Sequence, residues 1–284
     1  MRIYRYWESK TEIINGQTVY FKAGSNDSRE AAAALIEEKA AFCRQCAAGG
    51  TPDPRIQAEL RKKLWQGCGE KYEVPICEEL VQSIDRHNLI TRNRYGALVL
   101  NSEDHAFFDI DLDAPLPSEG FKKTFLQFLG LAPKPSREER LKELICQCIR
   151  TYFPYTSFRL YRTANGFRLL TPARDEANSS RMQEMMQIFR CDPLYMTLCA
   201  RQNCFRARLT PKPRRMKMKT AQKFTYPPKV DSAAEKEMWL KEYACRSENH
   251  KTCTLVAVFG AEFDSPTVKL HDELCKCSTA LPLA

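Results

Sequence analysis

The chain has 284 residues, 43% hydrophobic and 28% charged, a composition that excludes a largely disordered protein. Its formal net charge of +9 favours a polyanionic partner. No apolar run approaches the roughly 18 residues that a membrane span needs. The N-terminus also lacks the pattern of a secretory signal. We therefore expect a cytoplasmic protein with no membrane partner.

The N-terminal third shows mixed local signals. Asn15-Gly16 between β-forming runs predicts a hairpin, and Asp27 with Glu30 predicts the capping box of an alanine-rich helix. Further helices are predicted after Pro54 and over residues 76–87. An apolar strand at residues 95–100 follows, and the short turn after it predicts a hairpin with the next strand.

That next strand, residues 107–113, combines alternating hydrophobic residues with three carboxylates. Side chains alternate between the two faces of a strand. The face opposite the hydrophobic residues therefore carries Asp109, Asp111 and Asp113. A hard divalent cation, Mg²⁺ or Mn²⁺, would relieve their mutual repulsion. Pro115 suggests that the strand is ending at Asp113, which is a second-choice ligand. The alternative is a half-exposed edge strand with solvated acids.

The middle of the chain predicts a helix, a hairpin and a short helix in that order. Ser136 with Glu139 forms a second capping box, and Asn165-Gly166 predicts a tight turn between two strands. Asp192 before Pro193 is typical of a helix N-cap, and metal binding is an equal alternative or a second role.

Ten basic residues between positions 201 and 229 are not interrupted by any acid, and such a stretch suits phosphate contacts. The alternative is a solvated basic loop. The ten are Arg201, Arg206, Arg208, Lys212, Arg214, Arg215, Lys217, Lys219, Lys223 and Lys229.

The 13 cysteines are an odd number in a long chain, which argues against a disulfide scaffold. Several, such as Cys146 and Cys148, are expected to act as small buried hydrophobic residues. A structural zinc ion held by Cys191, Cys199 and Cys204 is a minor alternative. The four histidines show no ligand spacing, and we expect them, His271 included, to be structural or surface residues.

Over residues 95–215, the order of these motifs resembles the archaeo-eukaryotic primase superfamily, most closely its primase-polymerase branch. In that family one strand supplies two acids, which Asp109 and Asp111 match. A later acid precedes a short helix and a strand with an arginine and then a lysine, which Asp192, Arg206 and Lys212 match. The chain departs from the family at its Ser-x-His motif, where Arg168 stands in place of the histidine.

The resemblance implies a catalytic two-metal site for Mg²⁺ or Mn²⁺ at Asp109, Asp111 and Asp192. It also implies nucleoside triphosphates and a single-stranded DNA or RNA template as partners. The sequence identifies no helicase partner. The implied nucleotide-binding residues are Arg168, Arg206, Arg208, Lys212 and Asn165. The implied nucleic-acid-binding residues are Arg214, Arg215, Lys217 and Lys219.

We therefore expect an α+β fold with a primase-type, RRM-like antiparallel central sheet flanked by helices. The sheet should contain the acidic strand, the Asn165-Gly166 hairpin and the Arg206 strand as neighbours. Residues 1–92 would form a mixed α/β half packed on the core, 93–230 the catalytic core and 231–284 a helical appendage. The predicted function is metal-dependent nucleotidyl transfer. A non-catalytic single-strand-binding protein is the alternative, and a nuclease has low weight.

Overall fold

The computed structural model describes residues 1–49, 73–113, 135–219, 226 and 233–284. Within these residues the fold is α+β, with antiparallel sheets flanked by helices, which confirms the predicted fold class. The helix predicted after Pro54 lies outside the described residues.

The strands of the described residues form three sheets, ordered β1-β2, β10-β7-β8-β6 and β3-β4-β5-β9. The strands are β1 (Tyr6–Ile14), β2 (Gln17–Ser25), β3 (Glu79–Ser83), β4 (Asn88–Arg92), β5 (Leu98–Ser102), β6 (His105–Asp111), β7 (Phe158–Thr163), β8 (Gly166–Pro172), β9 (Phe205–Arg208) and β10 (Cys253–Phe259).

Helices cover these sheets and connect their strands. They are α1 (Arg29–Ala47), α2 (Arg137–Tyr152), α3 (Ser180–Ile188), α4 (Pro193–Gln202), a 3₁₀ turn (Pro213–Met216), α5 (Ala233–Glu248) and α6 (Pro266–Leu274). No helix among the described residues has both the length and the apolar character needed to cross a membrane.

The N-terminal sheet is the hairpin that the sequence predicts. Asn15 and Gly16 form its turn with positive φ angles of 49° and 77°, as a two-residue hairpin loop requires. Helix α1 packs on this hairpin. Its N-cap is Ser28, whose hydroxyl accepts the Ala31 N–H, rather than Asp27.

The sheet β10-β7-β8-β6 contains the hydrophobic core, and the predicted hairpin joins β7 to β8. Its turn is Ala164-Asn165, because Gly166 pairs with Thr163 as the first residue of β8. Gly166 lies opposite Asp111 in the register. A Cβ atom at Gly166 would lie 2.0 Å from the carbonyl oxygen of Ile110, so only glycine lets β8 approach the acidic strand here. Helix α2 buries Leu141, Ile145 and other apolar residues, and begins at the predicted Ser136 capping box.

Strand β9 lies in the third sheet, where it pairs with β5, which corrects the prediction of a single central sheet. The predicted hairpin between the strand at 95–100 and the acidic strand is also wrong. Strand β5 pairs with β4 and β9, whereas β6 pairs with β8. Strands β6 and β9 nevertheless contact each other across the two sheets.

The helix predicted over residues 76–87 is wrong, because this segment contains β3 and the turn into β4. Asp85 closes the turn by accepting the backbone N–H groups of His87 and Asn88 at 2.7 and 2.9 Å. An aspartate that satisfies nearby backbone donors favours a turn over a helix.

Residues 231–284 are not a purely helical appendage. Strand β10 pairs with β7 along its length and forms one edge of the core sheet. The predicted boundary at residue 92 likewise falls inside a sheet, since β4 ends at Arg92 and pairs with β5. Long-range strand pairing, which no local pattern reveals, accounts for both differences.

Candidate functional site

The predicted metal-binding acids lie along the open edge of β6, which we call the acidic edge (Asp109, Asp111 and Asp192). Asp109 is half-buried and Asp111 is exposed. Because β6 is the last strand of its sheet, the start of α4 can bond to its free edge. The Asp192 N–H donates to the Asp109 carbonyl at 3.2 Å, and the Tyr195 hydroxyl donates to the Phe107 carbonyl at 2.7 Å.

Asp192 is the N-cap of α4, since one of its carboxylate oxygens accepts the Tyr195 N–H at 2.7 Å. The capping interpretation is thus confirmed, and metal binding through the second oxygen stays a prediction. Asp192 lies next to Asp109 through the backbone hydrogen bond described above. The carboxylate oxygens of Asp109, Asp111 and Asp192 nevertheless do not all lie within 4.8 Å of one another. A shared cation would have to draw them together by side-chain rotation.

Arg168 does not present its guanidinium to a ligand. It lies directly opposite Asp109 in the β6–β8 register and is 2% exposed. Its Nε donates to Asp109 Oδ1 at 2.9 Å, and its Nη1 donates to the Arg208 carbonyl at 2.9 Å. Burial disfavours the charged form, but the Asp109 carboxylate more than compensates, so the pKa of Arg168 is raised. Arg168 therefore positions Asp109 in this structure, and its predicted contact with a triphosphate stays a prediction that would require it to leave this pair.

Arg206 likewise forms an ion pair within the protein. Its guanidinium donates to the Glu78 carboxylate at 2.6 Å and to the Gln202 side chain at 2.9 Å. Both charged side chains of the ion pair are largely buried. The structure thus assigns Arg206 to a structural ion pair rather than to the predicted triphosphate contact.

Arg208 and Lys212 differ from these two arginines. Neither has a carboxylate partner or a side-chain hydrogen bond among the described residues, although both are half-buried. Burial and the neighbouring Arg168 and Arg215 lower the pKa of Arg208 to about 10, against the opposing effect of Asp109. Burial and the charges of Arg208 and Arg215 lower the pKa of Lys212 to about 8. Among the described residues, these two cations therefore lack an ion-pair partner.

The group of cations that contains Arg208 and Lys212 extends into the 3₁₀ turn, where Arg214 is exposed and Arg215 is half-buried. Burial and Arg214 lower the pKa of Arg215. Asp109 and Asp111 both act on Arg215, and Asp111 acts on Lys212, so these acids lie within electrostatic range of the cations. We call Arg208, Lys212, Arg214 and Arg215 the basic cluster.

The remaining predicted residues lie at the margins of this site. Lys217 and Lys219 are exposed just beyond the basic cluster. The Asn165 side chain donates to Asp111 Oδ1 at 3.2 Å, and its carbonyl accepts the Leu112 N–H. Asn165 therefore orients Asp111 in this structure, and its predicted contact with a nucleotide stays a prediction. Lys223 and Lys229 lie outside the described residues.

The alternative zinc trio does not assemble. Cys191, Cys199 and Cys204 are all buried, but they form no group of converging ligand atoms. Burial raises the pKa of Cys199 and of Cys204 to about 12, so both are neutral thiols that pack as hydrophobic residues.

A different thiol group, which the sequence interpretation missed, lies behind Arg168. It consists of Cys253, Cys275 and Cys277, with His271 beside them. The sequence alone predicts His271 to be only a structural or surface residue. The spacing His271-x-x-x-Cys275-x-Cys277 is a signal that could have revealed it. The fourth member, Cys253, comes from β10 and is brought close only by the fold.

No protein-family model, curated protein or solved structure matches this chain.

Proposed function

We propose that this protein is a metal-dependent nucleotidyltransferase of primase type that binds a nucleoside triphosphate between the acidic edge and the basic cluster. The supporting observation is the set of half-buried cations, Arg208, Lys212 and Arg215, that lack carboxylate partners among the described residues and lie within electrostatic range of Asp109 and Asp111. Cations and acids arranged in this way suit a polyanion that arrives with a divalent cation.

The basic cluster supplies the binding energy for phosphate groups. Burial, and after it the like charges of Arg208, Arg215 and Arg214, lower the pKa of Lys212 to about 8. A triphosphate would replace the repulsion among these cations with charge-assisted hydrogen bonds. Arg208 would act as a bidentate phosphate ligand, and Lys212 as a point charge.

The acidic edge has the donor type that Mg²⁺ and Mn²⁺ prefer. Asp111 is exposed, and Asp109 keeps one carboxylate oxygen that Arg168 does not engage. A divalent ion bound there would neutralise charge on the transferring phosphoryl group. The protein's own contribution is to hold the triphosphate in line with the attacking hydroxyl group, because phosphoryl transfer depends chiefly on positioning and electrostatics.

The exposed cations beyond the site fit a second role. Arg214, Lys217 and Lys219 follow Lys212 directly and point to solvent. Single-stranded DNA or RNA is bound in large part through contacts between such cations and its phosphate groups. We place the template strand there, with the growing end directed toward Asp111. In this proposal the protein works in the cytoplasm, as expected from the sequence.

The test is template-dependent elongation by the purified full chain with Mn²⁺, nucleoside triphosphates and a primed single strand. Elongated product is expected, and Asp111→Asn should reduce its rate by about 100-fold or more because a metal ligand is lost. Glu143→Gln is the matched control, since Glu143 is an exposed acid on α2. Absence of product with every nucleotide and with either metal would refute nucleotidyl transfer.

One observation favours a second candidate, a non-catalytic single-strand-binding protein on the same scaffold. Asp109 already forms an ion pair with the buried Arg168, which weakens its availability to a metal. This candidate predicts salt-sensitive binding of single strands that Asp111→Asn leaves unchanged, with no elongation. Binding that does not respond to salt would exclude it.

A further inference from the structure

A buried group of three thiols and one imidazole lies where the C-terminal segment meets the core sheet. Cys253 is on β10, His271 is on α6, and Cys275 and Cys277 follow α6 directly. Cys253, Cys275 and His271 are 0% exposed and Cys277 is 5% exposed. The acidic edge and the basic cluster do not include any of these four residues.

The distances between the sulfur atoms match those of metal ligands. The Sγ atoms of Cys253, Cys275 and Cys277 all lie within 4.8 Å of one another, and Cys253 Sγ is 3.5 Å from Cys277 Sγ. Ligands 2.3 Å from a tetrahedral zinc ion are separated by about 3.8 Å. The three thiols are therefore arranged for one ion with little rearrangement. One disulfide, by contrast, would leave the third thiol unused.

The imidazole of His271 lies beside the three thiols, and with Asp272 and Cys277 it forms a second group of ligand atoms within 4.8 Å of one another. As a fourth ligand of the ion it would have to move toward the other two sulfur atoms. Its Nδ1 is 2.9 Å from Asp272 Oδ1, and Asp272 is itself held by Tyr161 and Arg159. A carboxylate that fixes one ring nitrogen of a histidine leaves the other free for a metal, which is a common second-shell arrangement in zinc proteins. The ring also contacts the Cys253 thiol. The Arg168 Nη1 atom is 3.5 Å from Nε2, too long for a strong hydrogen bond.

The surrounding charge suits such an ion. Three thiolates and a neutral imidazole around Zn²⁺ carry a net charge of about −1. The guanidinium of Arg168, which also pairs with Asp109, lies against this group and places a positive charge beside the site. Cys275 also contacts the backbone carbonyl of Arg208, so the group abuts the strand that carries the basic cluster.

We propose that Cys253, Cys275, Cys277 and His271 bind a structural Zn²⁺ ion. The ion joins β10 and the end of α6 to the core directly behind Arg168 and Arg208. The thiolate and imidazole ligand set with closed, buried geometry favours zinc over Mg²⁺ or Mn²⁺, which prefer oxygen ligands. This site is separate from the acidic edge and does not depend on nucleotidyl transfer.

The first experiment measures the metal content of the full chain, purified in reductant without chelator, by elemental analysis. We expect about one zinc per chain in the wild type and less than about 0.1 in Cys275→Ser. Cys245→Ser is the matched control, because Cys245 is an exposed cysteine on α5, and it should keep its zinc. Asp111→Asn should also keep it, which distinguishes this site from the acidic edge.

A second measurement keeps the proposal testable if Cys275→Ser does not fold. Wild-type protein grown with Co²⁺ should show the thiolate-to-cobalt charge-transfer absorption and the visible bands of a tetrahedral ion. A folded, reduced wild-type chain that contains neither ion and takes up neither would overturn the proposal. So would a native disulfide between Cys253 and Cys277, found by peptide mapping without reduction.

Discussion

Two pairs of cations close to one another show opposite electrostatic environments. Arg168 and Arg206 each donate to a carboxylate, Asp109 and Glu78 respectively, and their pKa values are raised. Arg208 and Lys212 have no such partner among the described residues, and their pKa values are lowered, chiefly by burial.

The difference separates structural cations from candidate binding cations. A paired, buried arginine stabilises the fold only as part of its pair, and removing one partner is costly. A half-buried cation without an anion reduces stability and is retained where a ligand supplies the missing charge. We therefore assign a structural role to Arg168 and Arg206, and a role in ligand binding to Arg208 and Lys212.

The largest effect, on the free energy of unfolding, is expected at the Asp109–Arg168 ion pair. Asp109→Asn leaves the buried Arg168 without its carboxylate, and should lower the free energy of unfolding by about 3 kcal/mol. Asp111→Asn, at an exposed position, should change it by less than about 0.5 kcal/mol. Urea denaturation of both variants measures the difference. Equal stability of the two would mean that the Asp109–Arg168 pair contributes nothing.

Arg208 represents the cations that have no carboxylate partner among the described residues. Arg208→Met should lower the affinity for a nucleoside triphosphate by about 10- to 100-fold, which corresponds to the loss of one charge-assisted contact. Stability should stay the same or rise, because an uncompensated cation is removed. Arg206→Met is the control. It should unfold more easily, because it breaks the Glu78 pair, and bind with nearly unchanged affinity. Calorimetric titration measures the affinity, and urea denaturation measures the free energy of unfolding. A loss of affinity in Arg206→Met but not in Arg208→Met would contradict the assignment.

Lys212 gives the site a pH dependence. Burial and the neighbouring arginines lower the pKa of Lys212 to about 8, and a bound triphosphate would raise it again. Affinity should therefore be nearly constant well below pH 8, and it should fall about tenfold from pH 7 to pH 9 as the free protein loses the proton. In Lys212→Arg this fall should be absent. A wild-type affinity that is flat over this range would remove Lys212 from the site.

The smallest effect is expected at the exposed cations. Each single-strand phosphate contact contributes about −0.7 to the slope of log affinity against log salt concentration. Replacing both Lys217 and Lys219 with alanine should therefore reduce the magnitude of the slope by about 1.4. Lys241→Ala together with Lys269→Ala, two exposed cations elsewhere, is the control. An unchanged slope would place the strand elsewhere.

Local sequence signals predict the elements that local chemistry determines. The hairpin between β7 and β8 and the capping box at Ser136 and Glu139 are examples, since a few neighbouring residues suffice for each. The pairing of β9 with β5 and of β10 with β7 depends on contacts between distant segments. Those pairings are not encoded in any local pattern, and there the predictions were wrong.

The candidate site shows the same limit at the level of side chains. The alternation along β6 identifies Asp109 and Asp111 as a pair on one face, and the structure keeps them there. It does not reveal that the β6–β8 register places Arg168 opposite Asp109, or that Glu78, 128 positions away, takes Arg206. Two arginines of the same strand, Arg206 and Arg208, thus have different roles that spacing alone does not distinguish.

The most direct test of a joint site is the effect of Mn²⁺ on the affinity for a nucleoside triphosphate, measured by calorimetric titration of the wild type and of Asp111→Asn. If the acidic edge and the basic cluster share one ligand, Mn²⁺ should raise the wild-type affinity by about tenfold or more, and should have little effect in Asp111→Asn. Equal wild-type affinity with and without Mn²⁺, or an enhancement that survives in Asp111→Asn, would contradict the account.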